Sequence, residues 1–535
     1  MKNIKLQNGL MPVCATLSLC SCTTAQQAPT DKPNVLIIQT DEHSFKTLGC
    51  YRELMAQAQA FPWGDGIEVT TPNIDRLAHE GAICTNYYAS SPVSTPSRAS
   101  FQTGLYPVVA GAPINGMTMD PSCRTFAQVL RDEGYQTNYI GKWHLAGVPY
   151  LGSLYMAPGY DFGYMDRKYQ FEGGHSKWYT ELENPYGIKA SYAVPKVQNP
   201  DMYSTDYLTN RCLELLERDK DKSFCLMLSI PDPHSPDISR EPYTTQYKEL
   251  DAQAPTTMAT YGSPQRAGWA VGGKNESGEF SQHSVREYFG MVKCIDDNVG
   301  RILDYLDDNG LTENTIVVFT SDHGDMLFEH HRINKDLPLE SSAKIPFVVR
   351  YPKKIKAGKV IESAYTNVDF APTLLGLLGY PQIEGVHGIN DAEALTSDNL
   401  KVTSERIVYM TDSPFNEWTA ATDGRYKLVL SCRDTPWLID RVADPDELKN
   451  FYSDPAYKEI AEKLQTELVR QMQLYKDPAI ALKRPFLYSS DQEVTFKNVY
   501  EGLNDKQIKE CENDILNNAI RDIHQNCYNR GRADV

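Results

Sequence analysis

Asn34-Val-Leu-Ile-Ile-Gln39 is an apolar run that stops on Thr40-Asp41-Glu42. Four aliphatic side chains in succession do not alternate with polar ones, so the run reads as a strand buried on both faces, as in a sheet covered by helices on each side. The pattern returns at Ser223–Ile230 (SFCLMLSI), ahead of Asp232-Pro233-His234, and at Thr315–Thr320 (TIVVFT), ahead of Ser321-Asp322-His323-Gly324. Between these runs, Pro72–Gly81 reads as a helix with Thr70 or Thr71 as cap, Pro at the start and Gly at the stop. Thr125–Glu133, Tyr203–Arg218, Ser284–Asp308 and Asp369–Leu378 are further helices, and Gln136–Ile140 and Ile345–Arg350 further strands. The alternation predicts an α/β domain with a large, mainly parallel or mixed central sheet sandwiched by helices. In open sheets of this kind ligands sit beyond the carboxyl ends of the strands, which is where the three polar clusters stand.

Outward from that core, 535 residues are too many for one ordinary domain. Residues 33–390 form the expected catalytic domain, and 385–400 are polar and loop-like. Residues 391–535 read as a smaller C-terminal α+β subdomain with a helical extension. Its short strands include Tyr426–Leu430 and Trp437–Asp440, and an amphipathic helix runs from Tyr457 to Tyr475. Residues 476–535 are polar and partly helical and carry no functional signal. Hydrophobic residues at 41% and charged residues at 23% are globular values. A net charge of −17 argues against a nucleic-acid partner, which calls for a basic patch or stripe. It leaves an anionic small substrate open, because a local group of cations reverses the sign inside one pocket.

Residues 1–22 are a targeting segment. Lys2 and Lys5 precede the apolar stretch Gly9–Leu19, which is too short to span a bilayer and ends in Leu19-Cys20-Ser21-Cys22. That ending resembles a bacterial lipoprotein box with Cys22 as the lipidated residue; an ordinary signal peptide cut nearby is the alternative. Residues 23–32 read as a tether, and the expected location is exported, periplasmic or anchored to the outer membrane as a lipoprotein. The nine cysteines after Cys22 are scattered, with no zinc-type spacing, and an odd number cannot all pair. Cys225 and Cys294 are expected in the core, and Cys511 and Cys527 are free to pair.

The most informative stretch for chemistry is Ser90–Tyr106, SSPVSTPSRASFQTGLY. Ser94 stands just before an expected helix and Pro96 fits its first turn, so a nucleophile there feels the positive end of the helix, where free N–H groups suit sulfate or phosphate. Arg98 is one turn on and can reach back to the same place. Ser-x-Pro alone is only a helix start. Here Ser94-Thr95-Pro96-Ser97-Arg98, followed by Thr103-Gly104, closely resembles the signature of the formylglycine-dependent (type I) sulfatases, within the alkaline phosphatase-like superfamily. Matching elements recur from Asn34 to about Gly388, and DGRYKLV with DPDELKN, from Asp423 and Asp444, resembles the family's C-terminal domain.

The resemblance implies that Ser94 is oxidised to formylglycine, a serine of this kind being matured by an anaerobic radical S-adenosylmethionine enzyme. The aldehyde hydrates to a geminal diol; one oxygen attacks sulfur as the alcohol leaves, and the other hydroxyl then expels sulfate. A plain serine sulfate would hydrolyse slowly, whereas this ester collapses by itself. The resemblance further implies one divalent cation on Asp41, Glu42, Ser94, Asp322 and His323. Glu42 stands where the family has a second Asp, and His323 where many members have Asn. Oxygen-rich ligation favours a hard cation, Ca²⁺ or Mg²⁺, and Ca²⁺ is the expected one. Gly141-Lys142-Trp143-His144 matches a family motif in which Lys142 grips a sulfate oxygen and His144 handles the diol proton. In Pro233-His234-Ser235-Pro236, His234 protonates the leaving alcohol, and Lys335 matches the second sulfate-binding lysine. The implied substrate is a sulfated sugar of glycosaminoglycan or mucin-type glycans.

Two other readings stay open at this point: a metal-dependent phosphomonoester or phosphodiester hydrolase of the same architecture, and a non-catalytic glycan-binding lipoprotein. His43 and Arg332 are candidates for substrate contact. His330 and His331 read as loop residues near the pocket. His175 and Trp178 read as loop packing, with an aromatic sugar platform as the alternative.

Overall fold

The computed structural model describes residues 32–146, 161–179, 190–191, 194–260, 266–271, 275–412, 418–431 and 434–475. The targeting segment with Cys22, most of the tether, Cys432 and residues 476–535 with Cys511 and Cys527 lie outside the described residues.

The central sheet has nine strands: β1 (Asn34–Asp41), β2 (Ala82–Tyr88), β3 (Gln136–Lys142), β4 (Asp166–Phe171), β5 (Phe224–Pro233), β6 (Thr315–Ser321), β7 (Phe347–Arg350), β8 (Lys359–Thr366) and β9 (Lys401–Val402). Across the sheet they run β9-β8-β2-β7-β6-β1-β5-β3-β4. Only β7 is antiparallel to its neighbours, so the sheet is mixed but mostly parallel. β1 lies near the middle, with Leu36 opposite Leu226 of β5 on one side and Val317 of β6 on the other.

The unbroken apolar runs follow from this position. Val35 and Ile37 join Cys225, Met227, Ile316 and Val318 in one core, under the helices Ser94–Thr103, Phe126–Asp132 and Phe370–Leu378. Leu36 and Ile38 join Leu226, Leu228, Val317 and Phe319 in the other, under Pro72–His79, Ser204–Asp219 and Gln282–Asp308. Alternate residues therefore face opposite cores, and each aliphatic side chain withdrawn from water contributes about 1.5–3 kcal/mol. Cys225 and Cys294 are both fully buried.

Local signals set several helix ends. Thr125 caps Phe126–Asp132 in a reciprocal box with Gln128. Thr71 stands at the cap position of Pro72–His79, but its hydroxyl is spent on the Gly49 N–H and Asp75.

After β9 the chain leaves the large sheet. Val408–Thr411, Trp418–Thr422, Tyr426–Ser431 and Trp437–Asp440 form a four-stranded antiparallel sheet in sequence order. The helix Lys458–Leu474 covers one face through Leu464, Leu468 and Met472, against Leu428, Leu430 and Leu438. The other face presents Trp418, Val429, Trp437 and Ile439 to Met326, Leu337 and Leu339 of the catalytic part. No helix among the described residues is long and apolar enough to cross a membrane.

β3 and β5 lie close together at Gly141. Its φ is +94°, and a Cβ there would lie 1.8 Å from the Ser229 carbonyl oxygen. Gly141→Ala should therefore destabilise the protein by about 3 kcal/mol, read as a lowered midpoint in chemical denaturation. An unchanged midpoint would mean that the two strands can separate there at no cost.

Candidate active site

The carboxyl ends of β1 and β6 bring two chain segments together that are far apart in sequence. Asp41 closes β1, and Glu42 turns out of it with φ +62°, in the left-handed region that favours glycine. The turn is held from outside: the Glu42 N–H donates to Asp322 Oδ1 (3.1 Å), and the Glu42 carbonyl accepts the Tyr288 hydroxyl (2.6 Å). Asp322 follows β6, its own N–H donating to the Thr40 carbonyl (3.2 Å). His323 Nδ1 lies 3.1 Å from the Gly324 carbonyl. Its Nε2 is turned to Ser94 Oγ at 3.0 Å and to Asp41 and Asp322 Oδ1, each at 3.6 Å. Asp41, Glu42, Asp322 and His323 are all fully buried.

Ser94 is the first residue of its helix rather than the one before it, and all ten residues of that helix are buried. The bare N–H groups expected there are largely spent. Thr95 N–H donates to Asn115 Oδ1 (2.9 Å), Pro96 has none, and Ser97 N–H donates to the Val93 carbonyl (3.0 Å). The helix contributes its dipole and the placement of Ser94, and anion binding falls to cationic side chains. Arg98 braces the carboxylates. Its Nε donates to Asp322 Oδ2 (2.9 Å), its Nη1 to the Lys142 carbonyl (3.0 Å) and Ser229 Oγ (2.7 Å), and its Nη2 lies 3.7 Å from Asp41.

Lys142, at the end of β3, is fully buried; its ammonium donates to Asp41 Oδ2 and, at 2.8 Å, to His175 Nε2. His234, one residue past β5, points Nδ1 at the Ser235 carbonyl (2.8 Å) and Nε2 at Glu42 Oε2 (2.8 Å). Lys335 reaches both, with Nζ 3.0 Å from Glu42 Oε2 and 2.9 Å from His234 Nε2. His144 is buried with φ +59°. The site thus has a serine end built by Ser94, Asp41, Asp322, His323 and Arg98. Its other end is built by His234, Glu42 and Lys335, and Lys142 lies between the two.

Burial by itself would raise the Asp41 carboxyl, but Lys142, His234 and Arg98 outweigh it and hold the group well below the usual carboxylate range. Glu42 is lowered too: burial opposes ionisation, and His234 and Lys335 overcome it. Burial lowers Lys142, with Asp41 pulling the other way. Lys335 goes up, because Glu42, Asp41 and Asp336 outweigh its burial. Burial, then the charges of Lys142 and Arg98, push His144 well below its ordinary value, so it stands as a neutral ring.

A family model for sulfatases matches residues 33–380, well over half of the chain. The chain belongs to the sulfatase family. It is a sulfuric ester hydrolase. A second model, for the C-terminal part of N-sulphoglucosamine sulphohydrolase, matches residues 328–474 of this sulfatase. An N-acetylglucosamine-6-O-sulfatase of Bacteroides thetaiotaomicron is 27% identical to it, over 90% of this chain and 94% of its own. A choline-sulfatase of Rhizobium meliloti is 29% identical, over 80% and 83% respectively. A solved structure described as a complex with its substrate D-glucosamine-2-N,6-O-disulfate has the same fold. Its TM-score is 0.66 at 24% identity, covering 83% of this chain and 98% of that one.

Enzymes of this family use a metal ion, and the residues here fit one. Asp41, Asp322 and His323 each offer a ligand atom, all within 4.8 Å of one another. Glu42 keeps Oε2 for His234 and Lys335, while its Oε1 is buried without a hydrogen-bond partner. Arg98 Nη2 and His144 Nδ1 are likewise buried and unpartnered. Buried polar atoms are nearly always paired, so each such atom marks a place that a bound group could complete. A second trio, Asp41, His175 and His234, has comparable spacing, but the ammonium groups of Lys142 and Lys335 already sit against its two Nε2 atoms.

The neighbouring candidates divide. His43 faces the core, not the substrate: it is fully buried edge-on to Phe319, its nitrogens lie 3.2 and 3.1 Å from the Thr40 and Thr47 hydroxyls, and burial lowers its pKa to about 3. Arg332 is buried and reaches the Ala270 carbonyl. His330 lines a separate cavity of about 150 Å³ with Trp269 and Trp437. Trp178 packs edge-on to Tyr203, as loop packing required. His175 is the residue that the sequence reading missed. It enters the site itself, with Nε2 3.2 Å from Asp41 Oδ2.

Removing one member of a buried ion-pair group leaves the other uncompensated. Arg98→Ala should cost about 3–5 kcal/mol of stability. Arg98→Lys should recover little of it, because a lysine cannot fork to Asp322, Ser229 and the Lys142 carbonyl together. Urea denaturation of the two variants checks both statements.

Proposed function

We propose that this sulfatase is an exported enzyme that removes a sulfate ester from a sugar of glycosaminoglycan or mucin-type glycans, using a formylglycine made from Ser94. The observation that carries the reading is the setting of Ser94. Its Oγ is 3.0 Å from His323 Nε2 and donates to Asp41 Oδ1 at 3.4 Å, at the head of a wholly buried helix. The choice of a sugar is supported by relatives described as N-acetylglucosamine-6-O- and N-acetylgalactosamine-6-O-sulfatases of Bacteroides thetaiotaomicron.

Asp41, Asp322 and His323, with the unpaired Glu42 Oε1, are the groups that would hold the cation, a hard ion suited to oxygen ligands, Ca²⁺ in preference to Mg²⁺. The ion would supply positive charge against the sulfate oxygens and acidify the nucleophile. Lys142, between the two ends of the site, and Lys335, at the His234 end, grip sulfate oxygens. Arg98 keeps Asp41 and Asp322 in place. His144, whose Nδ1 is buried without a hydrogen-bond partner, is assigned the handling of the diol proton. At the other end His234 gives its Nε2 proton to the departing sugar oxygen, and Glu42 at 2.8 Å stabilises the ring while it carries that proton. The same reading includes lipidation of Cys22, which would tether the enzyme at the cell envelope beside its substrate; the Leu19–Cys22 ending supports it.

Co-expressed with an anaerobic-type maturase, the Ser94 peptide should be lighter by two hydrogens in mass spectrometry, or appear as the hydrate. The matured protein should release sulfate from a panel of sulfated mono- and disaccharides, and Ser94→Ala should release none. An unaltered serine, under conditions that convert a control sulfatase, would refute the formylglycine reading. His234→Ala should lower kcat for a sugar sulfate by roughly 10²–10⁴-fold. Chelation with EGTA should stop turnover and lower the melting temperature. Ca²⁺ should restore both better than Mg²⁺; the reverse order would remove the case for calcium.

A further inference from the structure

His175 touches three groups of the site, yet the scheme above gives it no task. Its ring lies flat on that of His234, centroid to centroid 3.5 Å with 2° between the planes. Its Nε2 lies 2.8 Å from Lys142 Nζ and 3.2 Å from Asp41 Oδ2. Two residues on, the fully buried Lys177 holds the backbone of the same histidine. Its ammonium donates to the His234 carbonyl (2.7 Å) and to Asp232 Oδ1 (2.5 Å). The other Asp232 oxygen accepts the hydroxyls of Ser204 (2.9 Å) and Thr205 (2.5 Å). The loop carrying His234 is thereby fixed, and the ring is held at its edge by the Ser235 carbonyl, Glu42 and Lys335 and on its face by His175.

A proton donor must keep its N–H within hydrogen-bond reach of the oxygen it serves, and a misplacement near 1 Å can cost about 10²-fold in rate. The torsion that turns a histidine ring has broad wells, so packing has to choose the plane. We propose that His175 is a positioning residue for the leaving-group acid. Its ring, anchored at Nε2 by Lys142, forms the flat wall that keeps the His234 plane, and hence Nε2, aimed at the departing oxygen. The inference rests on the reading of His234 as that acid.

The test uses the full-length matured protein, N-acetylglucosamine 6-sulfate as a substrate whose alcohol needs a proton, and 4-nitrophenyl sulfate as one whose phenolate leaves without it. His234→Ala and His175→Ala should both lose kcat on the sugar sulfate, His175→Ala by at least about 10-fold, with KM little moved. Both should lose markedly less on the nitrophenyl ester than on the sugar sulfate. His175→Phe, which keeps a flat ring but no nitrogen, should recover most of the loss. If His175→Ala and His175→Phe fall equally on both substrates, the residue acts through Lys142 and Asp41 at the sulfate end, and the proposal is overturned. It is overturned as well if His234→Ala is leaving-group selective and His175→Ala is not. If His234→Ala shows no such selectivity, the acid assignment itself fails first.

Discussion

The structure is organised around charges taken out of water. Asp41, Glu42 and Asp322 are fully buried, and Arg98 and Lys142 are buried against them, with Lys335 closing the set. No isolated member could stay ionised there. Each therefore depends on a partner from a different part of the chain: Asp41 on Lys142, Asp322 on Arg98, Glu42 on Lys335 and His234. The nine-stranded sheet meets that requirement by ending β1, β3, β5 and β6 along one edge, so that its register is at once the register of the active site.

The small domain takes part in this arrangement. Trp418 Nε1 donates to the Asp336 carbonyl (2.9 Å), next to Lys335, and Asn275 Nδ2 donates to the Lys335 carbonyl (3.2 Å). Leu337 and Leu339 of the same loop pack with Trp418, Val429 and Trp437. Fully buried Lys427 bridges Glu340 and Glu447, each at 2.8 Å. Lys335, which faces His234, is thus held partly by the second sheet, which gives that domain a share in shaping the site.

Much of this was legible in the amino-acid sequence, for a definite physical reason. Strands covered on both faces leave unbroken apolar runs, and polar residues directly after such runs must lie at the sheet edge; Asp41, His234 and Asp322 were found that way. Local chemistry also marked the helix at Ser94. What depends on long-range packing was not legible. His43 follows two carboxylates yet turns into the core, because Thr40 and Thr47 satisfy both its nitrogens. His175 sits in a Gly-rich stretch with no periodicity, and only the return of that loop over the ends of β1 and β3 puts it on His234. Glu42 reads as one more ligand beside Asp41, whereas one of its carboxylate oxygens is taken up by His234 and Lys335.

Ser94 is 1% exposed, on a helix with no residue at the surface, beneath strands that join residues nearly three hundred positions apart. If Ser94 is oxidised as proposed, an enzyme acting on that side chain could not approach it once the sheet has closed. It would need the segment around Ser94 extended and accessible, as in the unfolded chain. Under that proposal folding and modification compete in time: a molecule that folds first carries a plain serine, and the active fraction of a preparation records which came first.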